Sequence, residues 1–269
     1  MVNKKNILIF GSEGQLGKSI KSISKKFKNY YYFFMNREQL DIRKCDEIIE
    51  FVKIHKIDTI VNCAAYTKVL EAEIEQNLAD EINNYSVKKI AQICESQKVQ
   101  LIHISTDYVF DGTKKEPYSE NDTPNPLQVY GKSKLKGELL IQDTSITGFI
   151  IRTSWVYGNH GKNFVNTILK LAENKNEIEV VDDQFGSPTY VLDLAKTIIE
   201  LISKESLTQM DIFHYSNLGE ISWYLFAKKI LKISKKKCNI KPVSSVNYKQ
   251  IANRPNYTVL NHHKIERLI

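Results

Sequence analysis

An apolar run that ends on a glycine turn limits this chain to few folds. Asn6-Ile-Leu-Ile-Phe10 reads as a strand covered on both faces, since everything after its first residue is apolar. Gly11-Ser-Glu-Gly-Gln-Leu-Gly17 follows, and Lys18 to Phe27 has the pattern of a helix. In such a strand-turn-helix the first glycine permits the tight turn and the second lets a pyrophosphate approach the backbone. The third lets helix and strand pack closely. The free N–H groups where the helix begins, around Gln15 and Leu16, then face the phosphates.

A glycine turn is a dinucleotide signal only inside an alternating chain, and this chain alternates. Strands are expected at Tyr30 to Met35, Asp58 to Ala65, Leu101 to Ile104 and Phe149 to Arg152. Between them lie helices at Asp46 to His55, at Glu73 to Gln97 and around Tyr130. That order predicts an α/β fold, a doubly wound parallel (Rossmann-like) sheet over residues 1–152. From 153 the rhythm loosens into a helix Lys162 to Glu173, a short strand Ile178 to Val181, a helix Val191 to Ile202, a strand Ile212 to Tyr215 and a helix Ser222 to Leu231. Residues 153–269 are read mainly as a smaller C-terminal substrate-binding part packed directly on the first, with the helix inside 190–203 returning to the sheet.

The end of the second strand should reach the adenosine ribose. An acidic residue there would bond both ribose hydroxyls and favour NAD, but Asn36 and Arg37 occupy the place. An arginine fits a 2′-phosphate, so NADPH is the expected cofactor with NADH as the second choice; Arg37 as a solvated loop residue is the other reading. Asp41, beside Ile42, either caps the next helix or contacts the adenine. The small residues Ala64 and Ala65, running into Tyr66 and Thr67, suit a flat ligand against the backbone, or simply close packing.

Chemistry concentrates between Ser105 and Glu138. Tyr130 and Lys134 are four apart and share one helix face. A phenol with a pKa near ~10 is a slow acid or base at neutrality, and an ammonium beside it would lower that value toward the working range. Thr106, after the fourth strand, offers a hydroxyl for the substrate oxygen. The insert Pro117 to Pro126 is loop by its proline and Asx content. Farther on, the loop 182–189 carries Gln184 among other hydrogen-bonding groups, and Arg254 stands near the end of the smaller part.

The net charge of +7 raises nucleic acid and membrane surfaces as partners. The lysines are spread along the chain without interleaved aromatics, so neither is expected. Cys45, Cys63, Cys94 and Cys238 show neither C-x-x-C spacing nor nearby histidines at metal-ligand intervals, so no metal is expected and the setting is read as reducing and cytoplasmic. No apolar run approaches the ~18 residues of a membrane span.

Taken in order, the glycine turn, Asn62-Cys-Ala-Ala-Tyr-Thr67, Ser105-Thr-Asp-Tyr-Val-Phe-Asp-Gly112, Tyr130-Gly-Lys-Ser-Lys134, Arg152-Thr-Ser-Trp-Val-Tyr157, Asp183-Gln-Phe-Gly-Ser-Pro-Thr189 and Arg254-Pro255 resemble the extended short-chain dehydrogenase/reductases. Within them the likeness is to the dTDP-4-dehydrorhamnose reductase family. The resemblance implies an NAD(P)H-dependent reduction of a nucleotide-linked 4-keto sugar. It also implies a triad of Thr106, Tyr130 and Lys134, with Asp107 and Trp155 on the sugar nucleotide and Ala65, Tyr66 and Thr67 on the cofactor. A homodimer is left open. The family's acidic-basic pair after Tyr66-Thr67 is absent, Leu70 and Glu71 standing in its place, and a terminal helix is expected to be short or missing. Three relatives by fold compete. A 4,6-dehydratase would carry Asp-Glu after the threonine where this chain has Asp107-Tyr108. An epimerase would recycle a retained NAD, and a partner-binding regulatory subunit like that of methionine adenosyltransferase would bind NADPH without turnover.

Overall fold

The computed structural model describes residues 4–203, 209–247 and 252–269; residues 1–3 of the expected first part lie outside them. The first half alternates β1 (Lys5–Phe10), α1 (Gln15–Ser24), β2 (Tyr30–Met35), α2 (Cys45–Ile54), β3 (Thr59–Asn62), the helical segments α3 (Val69–Ala72), α4 (Gln76–Asp80) and α5 (Ser86–Gln97), β4 (Gln100–Thr106), α6 (Val129–Gln142) and β5 (Gly148–Thr153). The second half adds β6 (Val156–Tyr157), α7 (Phe164–Asn174), β7 (Glu177–Val181), β8 (Phe185–Gly186), β9 (Thr189–Tyr190), α8 (Val191–Ile202), β10 (Met210–Tyr215), β11 (Ile221–Ser222), α9 (Trp223–Ser234), β12 (Asn239–Val243) and α10 (His263–Glu266).

Strand β1 divides its side chains between two cores. Leu8 and Phe10 enter one and Ile7 and Ile9 the other, all four fully buried, as the two-residue pleat requires. Ile48, Val52, Val87, Ile90 and Ile141 of α2, α5 and α6 close the first core. The second is closed by Leu16 and Ile20 of α1 and by the apolar stripe of α8. Six parallel strands result, ordered β10-β5-β4-β3-β1-β2. Strand order reverses between β1 and β3, and in sheets of this kind a ligand binds in the crevice at that reversal. The edge strand β10 comes from the second half of the chain.

A third core lies away from the sheet, where Ile168, Ile178, Val180, Ala227, Ile230, Leu231 and Ile240 join α7, β7, α9 and β12. Strand β12, not anticipated from its sequence, pairs in parallel with β7. The helix expected from Glu73 to Gln97 is instead broken: α3 stops at Ala72, α4 begins at Gln76, and a π-helical turn at Glu81–Tyr85 precedes α5. The carboxylates in the break are in use. Glu73 accepts from the N–H of Val129 at 2.9 Å and Glu75 from the hydroxyl of Tyr66 at 2.7 Å. Helix α1 begins at Gln15 rather than Lys18, with extended Gly14 as its cap.

Candidate active site

The glycine turn closes onto the neighbouring strand end. Gly11 has φ +72°, and a Cβ placed on it would lie 2.8 Å from the nitrogen of Ala64 and 2.9 Å from the carbonyl carbon of Cys63. At Gly17 a Cβ would come within 2.6 Å of Ser12 Cα, so α1 rests directly on the turn. Gly14 meets only the Gly11 carbonyl, at 3.2 Å, which leaves its bare side free for a ligand. A cavity of about 480 Å³ opens here, lined by Gly11, Gly14, Arg37, Asp41, Ile42, Ala64, Ala65, Tyr66 and Thr67. Gln15 and Leu16 stand at the start of α1, but their side chains are spent elsewhere. Leu16 packs in the core, and Gln15 accepts from Asn163 Nδ2 at 2.9 Å.

Asp41 does not cap α2, whose cap position is Lys44. Its carboxylate accepts from the backbone N–H of Arg43 at 3.0 Å and from Arg43 Nη2 at 2.6 Å, with Arg37 Nε at 3.5 Å. Those bonds, Arg43's above all, hold the Asp41 carboxyl down at about 2. Arg43 lines the same cavity and was not singled out from the sequence. Its side chain is 31% exposed against 70% for Arg37, so it is the more fixed of the two cations.

Thr106 ends β4 and caps the short 3₁₀ turn Asp107–Val109, its hydroxyl accepting from Tyr108 N–H at 3.2 Å and reaching Asp107 Oδ1 at 3.1 Å. Tyr130 sits in the first turn of α6, packed near Tyr66 of the cofactor cavity on one side and edge-on to the Tyr108 ring, 6.0 Å between centroids, on the other. Burial pushes its phenol above the ordinary value, with the Thr106 hydrogen bond pulling the other way. The hydrogen bonds of Lys134 run to β4. Fully buried Lys134 sends Nζ to His103 Nε2 at 3.1 Å and to the Ile104 carbonyl at 2.7 Å, and burial brings it down to about 8.

A second cleft, of about 800 Å³, lies between Arg254 and the loop from Asp111 to Lys115, with Asp183, Phe185 and Tyr257 on its walls. Arg254 also acts on Tyr108, whose burial lifts its phenol to about 12 while the guanidinium opposes the rise. Tyr130 thus packs in the Tyr66 cluster and Tyr108, edge-on to it, feels Arg254, though neither ring lines either cleft. Asp107 is buried, and burial lifts its carboxyl to about 7 despite hydrogen bonding from Thr258 and Thr106. Trp155, at φ +48°, lies face to face with Trp223, 3.3 Å between centroids at 8°, and covers Gly186. Gln184 is buried beneath its loop and lines neither cleft. Trp223 went unnoticed in the sequence, where nothing ties it to Trp155. Leu70 and Glu71 are exposed on α3.

A parallel doubly wound sheet, a glycine turn at its switch point and a Thr106, Tyr130, Lys134 constellation beside that crevice define an oxidoreductase of the short-chain dehydrogenase/reductase type. The chain matches the RmlD substrate binding domain family over residues 5–269, and it belongs to that family. It is 41% identical to the spore coat polysaccharide biosynthesis protein SpsK of Bacillus subtilis, over 97% of this chain and 90% of that protein. It is 35% identical to the dTDP-4-keto-6-deoxy-D-glucose reductase of Streptomyces niveus, over 95% and 88%. The crystal structure of dTDP-4-dehydrorhamnose reductase from Bacillus anthracis in complex with NADP superposes with a TM-score of 0.94 at 38% identity, covering 98% of this chain and 93% of that one.

Proposed function

We propose that the chain reduces the 4-keto group of a dTDP-linked 6-deoxyhexulose with NADPH, namely dTDP-6-deoxy-L-lyxo-4-hexulose to dTDP-L-rhamnose. The observation that carries this is the hydrogen bond of Tyr130 with Thr106, beside the Tyr66 wall of a dinucleotide crevice that also presents Arg37 and Arg43. The crevice fits the cofactor on its own evidence, since a Cβ at Gly14, on the cavity wall, would meet no protein atom but the Gly11 carbonyl oxygen, at 3.2 Å. Gly14, Gly17, Gln15 and Leu16 would present their backbone to the pyrophosphate, Ala64 to Thr67 would lie along the dinucleotide, and Arg37 and Arg43 would take the 2′-phosphate. Bound there, NADPH would supply the hydride.

The chain's own part is the proton and the orientation. Tyr130 delivers a proton to the sugar oxygen and Thr106 shares that oxygen, while Lys134 ties the helix of Tyr130 to the strand end that carries Thr106. Asp107, Trp155 and Arg254 are proposed to hold the sugar nucleotide, with Gln184 buried behind them rather than in contact with it. A second reading, a 4-keto sugar of other stereochemistry, is favoured by Leu70 and Glu71 where the family carries a charge pair. Among the described residues no helix is long and apolar enough to cross a membrane, and the four cysteines are free, which supports a reducing, cytoplasmic setting. Tyr130→Phe tests the assignment: NADPH affinity should stay within a few-fold while turnover falls by ~10²–10⁴. Turnover at the wild-type level would remove Tyr130 from the reaction.

A further inference from the structure

Trp155 stands where β5 leaves the sheet and β6 begins, with its backbone in the left-handed region at φ +48°, where a bulky side chain is rarely placed. Its neighbours hold it there. Ser154 Oγ donates to the Ser187 carbonyl at 2.6 Å, Thr189 N–H donates to the Trp155 carbonyl at 3.2 Å, and Val156 pairs with Thr189 between β6 and β9. Backbone kept in a costly conformation by its surroundings is a feature of ligand sites.

The indole is fixed as well. A Cβ on Gly186 would fall 2.6 Å from Trp155 Cε2 and 2.8 Å from Cζ2 and Nε1, so the ring fills the space that the glycine leaves. Trp223 covers it with its own ring, 3.3 Å away between centroids and 8° from parallel. Trp223 is in turn backed by Phe164 of α7, centroids 4.4 Å apart. Its place at the start of α9 is set by Ser222, whose hydroxyl accepts from Leu225 N–H at 3.2 Å and donates to Asp182 Oδ1. Trp155 thus comes from the end of a strand of the six-stranded sheet and Trp223 from the helix of the third core, and their stack joins the two.

That junction backs the second cleft. Strand β8 has two residues, of which Gly186 lies against the Trp155 indole and Phe185 lines the cleft. Phe185 is tied at both backbone groups to the segment after Arg254, its N–H donating to the Asn256 carbonyl at 2.7 Å and its carbonyl accepting from Thr258 N–H at 2.9 Å. Arg254 and Asn256 line the same cleft, so a shift of the indole reaches that wall through one residue. We propose that Trp223 is a positioning residue for the sugar nucleotide: by holding the Trp155 indole against Gly186 it fixes the Phe185 and Arg254 wall of the second cleft, without itself touching the ligand. This rests on the reading of Arg254 and its cleft as the seat of the sugar nucleotide. Neither Trp223 nor Gly186 lines the dinucleotide crevice, so cofactor affinity separates this role from a general loosening.

Fluorine NMR of the full chain carrying fluorotryptophan reads the stack, because the chain has two tryptophans and both are in it. Adding dTDP to the wild type should shift both signals. Trp223→Leu leaves the Trp155 signal alone, displaced by loss of the partner's ring current. In calorimetric titration that variant should lose dTDP affinity on the order of tenfold, with a like rise in KM for the keto sugar, while NADPH affinity and kcat stay within about twofold. Trp223→Phe, which keeps a ring against the indole, should recover most of the loss. A folded Trp223→Leu protein that binds dTDP as tightly as the wild type overturns the proposal, as does one that loses NADPH affinity by the same factor. Should that variant fail to fold, wild-type signals that do not move with bound dTDP overturn it equally. A wild type that binds no dTDP overturns the reading of the cleft itself, whereas unchanged binding in the variant overturns only the role of Trp223, so the two failures are seen apart.

Discussion

Glu138 of α6 and Arg152 of β5 form a buried two-pronged ion pair, Nη2 to Oε2 at 2.7 Å and Nε to both oxygens at 3.1 Å, with side chains 0% and 2% exposed. The guanidinium also lies over the Phe110 ring, 5.2 Å from its centroid. Because Glu138 follows Lys134 by one helical turn, the pair pins the helix that carries Tyr130 and Lys134 to β5, between β10 and β4 of the sheet. Removing one partner leaves a buried charge alone. Glu138→Ala should therefore lower unfolding free energy by ~3–5 kcal/mol in urea titration. A loss below ~1 kcal/mol, the range of exposed pairs, would deny the pair this role.

The two arginines at the cofactor crevice should not contribute equally. Arg43 is gripped by Asp41, whereas Arg37 is largely exposed. Hydrogen bonds to a charged group are worth ~1.5–3 kcal/mol. Arg43→Ala should thus weaken NADPH binding by roughly 10- to 100-fold in calorimetric titration and leave NADH nearly unchanged, with a smaller effect for Arg37→Ala. Equal losses for both cofactors would mean that Arg43 holds the cavity wall and not the 2′-phosphate.

Asp107 links the site to pH. Its folded value is about 7, above the ~3.9 of an unfolded chain. Below the lower value both states are protonated and nothing is lost. As pH rises between the two, the unfolded chain releases the proton while the folded one keeps it, so stability falls, and the loss is complete above the folded value. Asp107→Asn should match the wild type near pH 4 and exceed it in thermal unfolding at pH 8 by something on the order of 1–4 kcal/mol, while turnover drops. An advantage that is the same at both pH values would mean the carboxyl does not titrate in this way.

Much of this architecture can be read from residue patterns. The buried strands announce themselves as apolar runs, and β2 and α8 fall on the residues anticipated, because both faces of each strand and one stripe of each helix must be covered. What stays hidden depends on tertiary neighbours. Asn62 and His103 sit in separate apolar runs, and only the β3/β4 register makes them one unit. Arg43 looks like any solvated cation until the chain folds its guanidinium back onto Asp41. Trp155 and Trp223 meet through a third core whose strand β12 has too weak a pattern to stand out. The β4 partners of Lys134 are hidden for a related reason: a shared helix face brings Lys134 toward Tyr130, but only the fold brings His103 and the Ile104 carbonyl to its Nζ.

The measurement that goes to the centre of the account follows NADPH absorbance when the purified chain meets dTDP-6-deoxy-L-lyxo-4-hexulose, with NADH and with dTDP-4-keto-6-deoxy-D-glucose in parallel. The account predicts NADPH oxidation matched one for one by dTDP-L-rhamnose, slower oxidation of NADH, and little turnover of the second sugar. NADPH that binds and is consumed with neither sugar would contradict it.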